Sequence, residues 1–384
     1  MRSLSQRAGD YPDPQMVTTA ALAARNDAVR AQMRRLGVDT LLLSLGAELP
    51  WLTGYTAMPL ERLTMLVLSL DAEAILVVPA LEAARVEPRP ELFALRPWAE
   101  TENPIDVVTG VVGRSRRRLG ISERTWARFL LALQTELPRS TWMNSSRITS
   151  PLRAVKDPDE VTALRRASAA ADRVAAELLT SQIPLIGRTE ADVSRELGQR
   201  LVDEGHDTVN FAIVASGPNA ASPHHHPGGR TIGAGEAVVC DFGGTMDGYC
   251  SDITRTIFTG EPPEEFLDLY AALAGAQAAA VDAARVGTPC EDVDAVARDL
   301  ITDAGYGDQF IHRTGHGIGL EEHEDPYLVR GNRDPLAAGH AFSVEPGIYV
   351  DGRWGARIED IVVATDAGPE PLNRADHALA IVEH

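Results

Sequence analysis

The sequence predicts an α+β protein of two domains, and three features support this fold class. The first is length, since 384 residues exceed the usual size of a single domain. The second is a mixture of helix and strand signals over roughly the first 150 residues, typical of an α/β sandwich. The third is an internal repeat of elements in the remainder. We therefore place an N-terminal α/β domain at residues 1–155 and a duplicated α+β domain at residues 156–384.

The N-terminal domain begins with a helix followed by apolar strand signals. An Ala- and Arg-rich helix is predicted over Thr19–Leu36, and the apolar run Thr40–Leu45 is typical of a buried strand. The segments Leu63–Leu70 and Ala74–Pro79 flank a short polar turn, which predicts a β-hairpin.

A strong helix start marks the beginning of the second domain. Asp157 has the residue type of an N-cap, Pro158 suits the first helical position, and Glu160 completes a capping box. The alanine-rich sequence that follows predicts a helix continuing to about Gln182.

The second domain contains two copies of one element order. A helix over Glu190–Glu204 follows Thr189, and another over Cys290–Ala304 follows Thr288, which lies 99 residues after Thr189. The spacing of Thr288 and Glu291 is that of a capping box. Each helix follows a long alanine-rich helix and precedes β-like segments rich in Gly and His, so we infer a duplicated unit rather than a chance similarity.

The first copy contains a predicted β-hairpin with two aspartates. Its β-like arms flank a turn rich in Gly and Asp. A pivot between Met246 and Asp247 would place Asp241 directly opposite Asp252 on one face of the sheet.

The second copy contains a similar hairpin with two glutamates. Its arms are predicted over Phe342–Val350 and Trp354–Ala364. A pivot at Gly352 would place Glu345 opposite Glu359. Each copy therefore presents a pair of opposed acids.

Opposed like charges destabilise a sheet, so two such pairs indicate a cation between them. Four carboxylates with one or two imidazoles suit a two-metal site, and ligation without cysteine indicates Mn²⁺, Co²⁺, Fe²⁺ or Zn²⁺. Arg357 precedes Glu359 by two residues and so lies on the same strand face, where it would orient a carboxylate or hold substrate.

The histidines offer further candidates. His316 lies between glycines, in Thr-Gly-His-Gly-Ile-Gly, where the backbone can approach another group closely, and His323 follows in an acidic segment. The run His224-His225-His226 is either an exposed polar loop or the source of a proton donor or oxyanion stabiliser. Spacing alone does not choose among these three histidines.

Composition excludes other classes of protein. The 36 Lys and Arg residues against 55 Asp and Glu give a formal net charge of −19, which disfavours nucleic acid and anionic membranes as partners. No apolar run is long enough to span a bilayer, and residues 1–15 are polar and proline-broken, unlike a signal peptide. Three cysteines without CxxC spacing disfavour a disulfide framework and a structural zinc site, and they fit a reducing cytosol.

These residues resemble the Xaa-Pro peptidases of the pita-bread metallopeptidase family, the prolidases and aminopeptidases P. The similarity covers most of the chain, including an N-terminal domain like that of creatinase. It is carried by motifs that occur in the family's order: RAVKD at the domain junction, SGPN through PH, the DFG and SDITRT hairpin, TGHGIGLEEHEDP, VEPGIY and ARIED.

The resemblance implies the fold and the site. The fold would be a creatinase-like α/β domain followed by a pita-bread catalytic domain. Two divalent cations, with Mn²⁺ as the first choice, would be bound by Asp241, Asp252, His316, Glu345 and Glu359. Asp252 and Glu359 would bridge both cations. The resemblance also implies catalytic roles for His224, His323, Glu345 and Arg357.

The implied reaction is attack by a metal-bridging hydroxide on the Xaa-Pro bond of a dipeptide. Glu345 would be the general base, His323 would stabilise the oxyanion, and His224 would assist proton transfer to the leaving nitrogen. The resemblance further implies a cytoplasmic homodimer that acts on proline-containing dipeptides or short peptides.

Four alternative functions remain at this point. They are an aminopeptidase P for longer peptides, a methionine aminopeptidase, a non-catalytic peptide-binding module and a creatinase-like amidohydrolase. A basic group that binds the proline carboxylate would favour the dipeptidase, and Arg330 and Arg333 are candidates for it.

Overall fold

The computed structural model describes residues 17–383. The N-terminal segment that we interpret as unlike a signal peptide lies outside this range. The chain separates into two compact units between Leu152 and Arg153. The sequence-based boundary between residues 155 and 156 lies near this point and stays a prediction. Among the described helices, none has the length and apolarity that crossing a membrane requires.

The first unit is an α/β unit built on one mixed sheet. Its elements are α1 (Thr19–Leu36), β1 (Thr40–Leu43), α2 (Glu48–Thr53), β2 (Met65–Ser69), β3 (Ile75–Pro79), β4 (Ala94–Trp98), α3 (Pro104–Val112), β5 (Arg118–Ile121), α4 (Ala127–Glu136) and β6 (Thr141–Asn144). The sheet order is β4-β3-β2-β1-β5-β6. The predicted hairpin is confirmed, because β2 and β3 pair antiparallel, and α1 has the predicted bounds.

The second unit begins on the helix α5 (Ser146–Ala154), which spans the division between the units. The following elements are α6 (Pro158–Leu179), α7 (Glu190–Asp203), β7 (Thr208–Ser216), β8 (Glu236–Met246), β9 (Tyr249–Cys250), β10 (Ile253–Thr259), α8 (Glu264–Ala283), α9 (Cys290–Asp303), β11 (Gly315–Gly317), β12 (Glu324–Leu328), β13 (Ala341–Val344), β14 (Gly347–Val350), β15 (Trp354–Arg357), β16 (Asp360–Thr365), β17 (Gly368–Pro371) and β18 (Ala380–Val382).

Three sheets organise the second unit. One has the order β18-β10-β8-β7, with β9 paired to β8. A second has the order β12-β11-β13-β16-β17, and β14 pairs with β15 alone. Each large sheet has its own apolar core: one packs α6 and α7 on the first sheet, and the other packs α8 and α9 on the second.

The helix start at Asp157 is confirmed as a capping box. The Glu160 amide donates to Asp157 Oδ1 at 2.9 Å, and the Asp157 amide donates to Glu160 Oε2 at 2.9 Å. These bonds satisfy two amides at the start of α6 that have no partner within the helix.

The internal repeat is confirmed by repeated backbone hydrogen bonds. The Gly187 amide donates to the Ile232 carbonyl at 2.9 Å, and the Gly287 amide donates to the Leu336 carbonyl at 2.8 Å. Just after these glycines, α7 and α9 begin. In both copies, therefore, the glycine that precedes the helix is hydrogen-bonded to a segment that follows it.

The predicted capping box at Thr288 is wrong. The N-cap of α9 is Pro289, which has no side-chain oxygen to accept a hydrogen bond, and α9 begins at Cys290. The repeated helices therefore align Thr189, a true N-cap, with Pro289 rather than with Thr288.

The predicted register of the first hairpin is also wrong. Asp241 pairs with Thr254, not with Asp252, because β8 and β9 are joined by the two-residue turn Asp247-Gly248. Both turn residues have positive φ, 52° and 83°, as a tight hairpin turn requires. The pivot lies one residue later than the sequence suggested, and Asp252 falls in the break between β9 and β10.

The predicted register of the second hairpin is confirmed. Val350 pairs with Trp354 around Gly352, and the same register continues beyond this ladder, where Val344 pairs with Asp360. Glu345 and Glu359 occupy the gap between the two ladders, so each predicted arm is divided into two strands.

Candidate metal centre

The two halves of the second unit meet at Thr254 and Glu359. The Glu359 amide donates to the Thr254 carbonyl at 3.2 Å, and the Thr254 hydroxyl donates to Glu359 Oε2 at 2.7 Å. Arg255, which is 1% exposed, donates to the backbone carbonyl of Thr254 at 2.9 Å and to that of Glu359 at 2.7 Å. These bonds hold β10 of the first half against Glu359, which lies between β15 and β16 of the second half.

His316 lies among the acids from both halves. Ligand atoms of Asp252, His316 and Glu359 all lie within 4.8 Å of one another, and all three residues are buried. His316 Nε2 is 3.3 Å from Glu345 Oε1 and 3.8 Å from Asp252 Oδ2. Its Nδ1 faces the Gly317 carbonyl at 3.2 Å, which assigns the proton to Nδ1 and leaves Nε2 as the ligand atom.

The glycines around His316 bring it into the sheet. A Cβ added to Gly315 would overlap the Ser343 carbonyl oxygen, and one added to Gly317 would overlap the Asp325 backbone. The predicted close approach of the backbone at this motif is therefore confirmed.

Asp241 completes the group through Arg357. Arg357 Nη2 donates to Asp241 Oδ2 at 2.5 Å, while its Nε donates to the Thr254 hydroxyl and its Nη1 to the Tyr349 hydroxyl. The arginine is only 3% exposed, so this pair is held away from water. Arg357 therefore orients a carboxylate, one of the two roles that its strand position predicted.

Three buried carboxylate oxygens in this group have no hydrogen-bond partner among the described residues: Asp241 Oδ1, Asp252 Oδ1 and Glu359 Oε1. Buried carboxylate oxygens normally have partners, because desolvation without compensation is costly. Oxygen atoms that face one another without donors fit cation ligands, so the donor set suits hard or borderline divalent metals.

The pKa values of the grouped acids and of His316 are shifted away from their ordinary values. Burial and the neighbouring acids raise the pKa of Asp252 and of Glu359 well above the usual carboxyl range. Burial raises the pKa of Glu345 to about 7, and burial lowers the pKa of His316 to about 3. Without a cation, the site therefore disfavours the charged form of every one of these groups.

The acids open into a cavity of about 450 Å³. It is lined by the five predicted ligands together with Phe211, Ile213, Pro223, His224, His312, Arg313, Glu322, His323 and Arg357. All of the predicted site residues therefore surround one space. His224 and His323 are exposed side chains, and the His323 ring lies 3.9 Å from the His316 ring, centroid to centroid.

The structure separates the three consecutive histidines. His224 lines the cavity. His225 Nε2 lies 2.8 Å from Oε2 of the fully buried Glu190, and His226 is exposed. Sequence spacing left this choice open, because it depends on a contact with Glu190, which precedes the run by more than thirty residues.

Several residues at or beside the cavity were not predicted from the sequence. Thr254 lies inside the quoted SDITRT motif but was given no role, and His312 and Arg313 carry no local signal beyond their proximity to His316. Arg330 and Arg333, the predicted candidates for binding a substrate carboxylate, do not line the cavity. The Arg333 side chain is 86% exposed and pairs with Glu291 at 3.1 Å.

Comparisons with known proteins identify the family. Residues 162–366 match the sequence model of metallopeptidase family M24, and residues 25–155 match that of the creatinase/prolidase N-terminal domain. The probable dipeptidase PepE of Mycobacterium tuberculosis is 42% identical over 350 residues, which cover 90% of this chain and 92% of that protein.

Solved structures agree with the sequence matches. The dipeptidase PepE of Mycobacterium ulcerans has a TM-score of 0.90 at 43% identity and covers 95% of this chain and 99% of its own. A recombinant prolidase from Thermococcus sibiricus has a TM-score of 0.89 at 34% identity and covers 95% and 100%. The predicted fold class is confirmed, with a creatinase-type N-terminal domain and a pita-bread second domain. The chain belongs to metallopeptidase family M24 and is a peptidase of its dipeptidase and prolidase type.

Proposed function

We propose that this chain is a metal-dependent Xaa-Pro dipeptidase that hydrolyses the bond between the first residue and proline. The observation that carries the proposal is that three buried carboxylate oxygens around one cavity, those of Asp241, Asp252 and Glu359, have no hydrogen-bond partner among the described residues. The likeness to a prolidase from Thermococcus sibiricus supports the choice of bond. The cytoplasmic location and the homodimer that the resemblance implies stay predictions.

Five residues would hold two divalent cations: Asp241, Asp252, His316, Glu345 and Glu359. Mn²⁺ is the proposed metal, because carboxylate-rich sites suit it. When bound, the cations would polarise the substrate carbonyl and lower the pKa of a water molecule.

The remaining roles belong to side chains of the cavity. Glu345 takes the proton of the attacking water and passes it toward the leaving imino nitrogen, with His224 assisting at the rim. His323 donates to the developing oxyanion. Arg313 Nη2 lies 3.4 Å from His323 Nδ1, which supports Nε2 as the atom that carries the donated proton. Arg357 keeps Asp241 oriented toward the site.

A peptide series after chelation and metal reloading tests the proposal. We expect Mn²⁺ to restore cleavage of Ala-Pro, with Ala-Ala and Ala-Pro-Ala cleaved more slowly, and we include Co²⁺ and Zn²⁺ in parallel. Tripeptide turnover far above that of the dipeptide would assign the chain to the aminopeptidases. Absence of both metal uptake and cleavage would favour a peptide-binding module.

A matched pair of variants separates the site from general effects of charge. Glu359→Gln removes a carboxylate from the site, and we expect it to abolish cleavage. Glu370→Gln removes an exposed glutamate that pairs with Arg165 on the surface, and we expect its activity to equal that of the wild type. Equal activity of all three proteins would contradict the proposed site.

A further inference from the structure

The chain contains a single lysine, and it is buried. Lys156 belongs to the RAVKD motif and is the one lysine among the 36 Lys and Arg residues. Its side chain is 1% exposed. The Lys156 ammonium donates to Glu324 Oε1 at 2.6 Å and to the Arg153 carbonyl at 2.7 Å. A buried ammonium is costly unless it is paired, so Glu324 is the counter-ion that allows this burial.

Glu324 also binds a second cation. Arg153 Nη2 donates to Glu324 Oε2, and it donates to Glu321 Oε2 at 2.9 Å. The side chains of Arg153 and Glu324 are each 7% exposed, so water screens these charges weakly. Two positive charges of residues 153–156 therefore hold two negative charges of residues 321–324.

The segment held in this way is the loop between β11 and β12, residues 318–323. A Cβ added to Gly319, near the start of the loop, would lie 2.5 Å from Glu324 Oε1 and 2.9 Å from Lys156 Cε. The beginning and the end of the loop therefore pack against the same ion pair. A compact ammonium on a thin stem suits this narrow space better than the planar guanidinium that the chain uses elsewhere.

The same loop carries two residues of the cavity. Glu322 and His323 both line the cavity, and His323 immediately precedes Glu324. Glu324 is the cross-strand partner of Gly317, which immediately follows His316. The rings of His316 and His323 lie 3.9 Å apart, centroid to centroid. The position of Glu324 therefore determines where His323 lies relative to a predicted metal ligand.

We propose that Lys156 is a positioning residue, which fixes His323 at the cavity by holding Glu324. This role rests on the proposed function, in which His323 stabilises the oxyanion. Lys156→Met removes the charge and keeps most of the volume. We expect kcat for Ala-Pro to fall by about 10- to 100-fold, because a displaced oxyanion donor loses much of its effect. KM and the Mn²⁺ affinity measured by calorimetry should stay close to the wild-type values, because Lys156 donates to Glu324 and to backbone carbonyls rather than to a proposed ligand.

A double-mutant cycle separates positioning from a general loss of stability. If Lys156 acts through His323, Lys156→Met should lower kcat little further in a His323→Ala background. Glu324→Gln provides the same test if Lys156→Met does not fold. Arg165→Met removes the exposed ion pair with Glu370 and, as the matched control, should keep the wild-type kcat. Effects that multiply in the double variants would overturn the proposal, and so would an unchanged kcat in both single variants.

A spectroscopic measurement keeps this inference separate from the proposed function. If the Mn²⁺-loaded wild type does not cleave Ala-Pro, the proposed reaction fails, but the ring of His323 still reports on Lys156. In Zn²⁺-loaded protein with isotope-labelled histidine, the His323→Ala variant assigns the His323 NMR signal. We expect Lys156→Met to shift or broaden this signal and to leave that of the exposed His226 unchanged. An unchanged His323 signal would overturn the proposal.

Discussion

The two halves of the second unit share a backbone framework but hold their histidine-bearing segments with different side chains. In the first half, the fully buried Glu190 at the start of α7 accepts hydrogen bonds from the amide and hydroxyl of Ser216 and from the Asn219 side chain. It also contacts His225 at 2.8 Å. The residue beside His225 is His224, at the rim of the cavity.

In the second half, the first residue of α9 is Cys290, which lies in an apolar core. The buried carboxylate is instead Asp294, one turn later. It accepts from the amide and hydroxyl of Thr314 at 3.0 and 2.8 Å and pairs with Arg298. Thr314 lies two residues before His316.

The comparison shows that the two copies of the duplicated fold position histidines at two different places in the site. Each half uses one buried acid on its repeated helix to hold the segment that carries a histidine. In the first half that histidine lies at the exposed rim, and in the second it lies among the predicted metal ligands. Substitutions in each half test this division.

Removal of one proposed metal ligand should impair a site to which both halves contribute. Asp252 belongs to the first half but faces His316 and Glu359 of the second. We expect Asp252→Asn to lower both Mn²⁺ affinity and kcat/KM for Ala-Pro by more than about 100-fold, since even outer partners of metal ligands change affinity by 10- to 100-fold. Calorimetry and steady-state kinetics measure the two effects, and wild-type Mn²⁺ affinity in this variant would contradict the assigned ligand.

Loss of the Glu190 carboxylate should affect the first half alone. Glu190→Ala leaves buried donors of Ser216 and Asn219 unpaired, so we expect a loss of about 2–4 kcal/mol in the free energy of unfolding. Urea denaturation measures it. Because the loop with His224 loses its hydrogen bonds to Glu190, kcat should fall while Mn²⁺ binding is retained. Weakened Mn²⁺ binding would contradict the assignment of Glu190 to the His224 segment alone.

Asp294→Asn should affect the second half more gently. The amide can still accept from Thr314 but loses the charge that pairs with Arg298, which costs about 1–2 kcal/mol. Without its pair with Arg298, the side chain at position 294 holds Thr314 and the segment with His316 less firmly, so Mn²⁺ affinity should fall, in contrast to the Glu190 variant. Unchanged Mn²⁺ affinity in this variant would contradict the assignment of Asp294 to the segment that carries His316.

The smallest effect should come from acid titration of Glu190. Burial opposes the shift, but hydrogen bonds from Ser216, Asn219 and His225 outweigh it and lower the pKa of Glu190 below its ordinary value of 4.5. This contribution to stability is present above pH 4.5 and is lost as the pH falls through the folded-state pKa. The difference in unfolding free energy between wild type and Glu190→Gln should therefore shrink on acidification, and a constant difference would contradict the shift.

Local signals predicted much of this fold because they act within a few residues. The Asp157 capping box, the helix over Thr19–Leu36 and the register around Gly352 depend on nearby groups, and the structure confirms each of them. The grouping of the predicted ligands around one cavity also followed the sequence, through the family motifs.

The errors and omissions have physical causes. The positive φ of Asp247 moved the first hairpin register, and Asp is only one of several residues that accept this conformation. Thr254 owes its importance to a contact with the distant Glu359, which no spacing reveals. The same holds for His225, whose partner Glu190 lies on another element.

Metal stoichiometry tests whether five side chains from two diverged halves build one dinuclear centre. Purified wild-type protein, stripped with chelator, reloaded with Mn²⁺ and desalted, can be analysed by plasma mass spectrometry alongside an Ala-Pro assay. We expect two Mn²⁺ ions per chain and activity that rises with loading. Full cleavage of Ala-Pro by protein that retains no metal would contradict it.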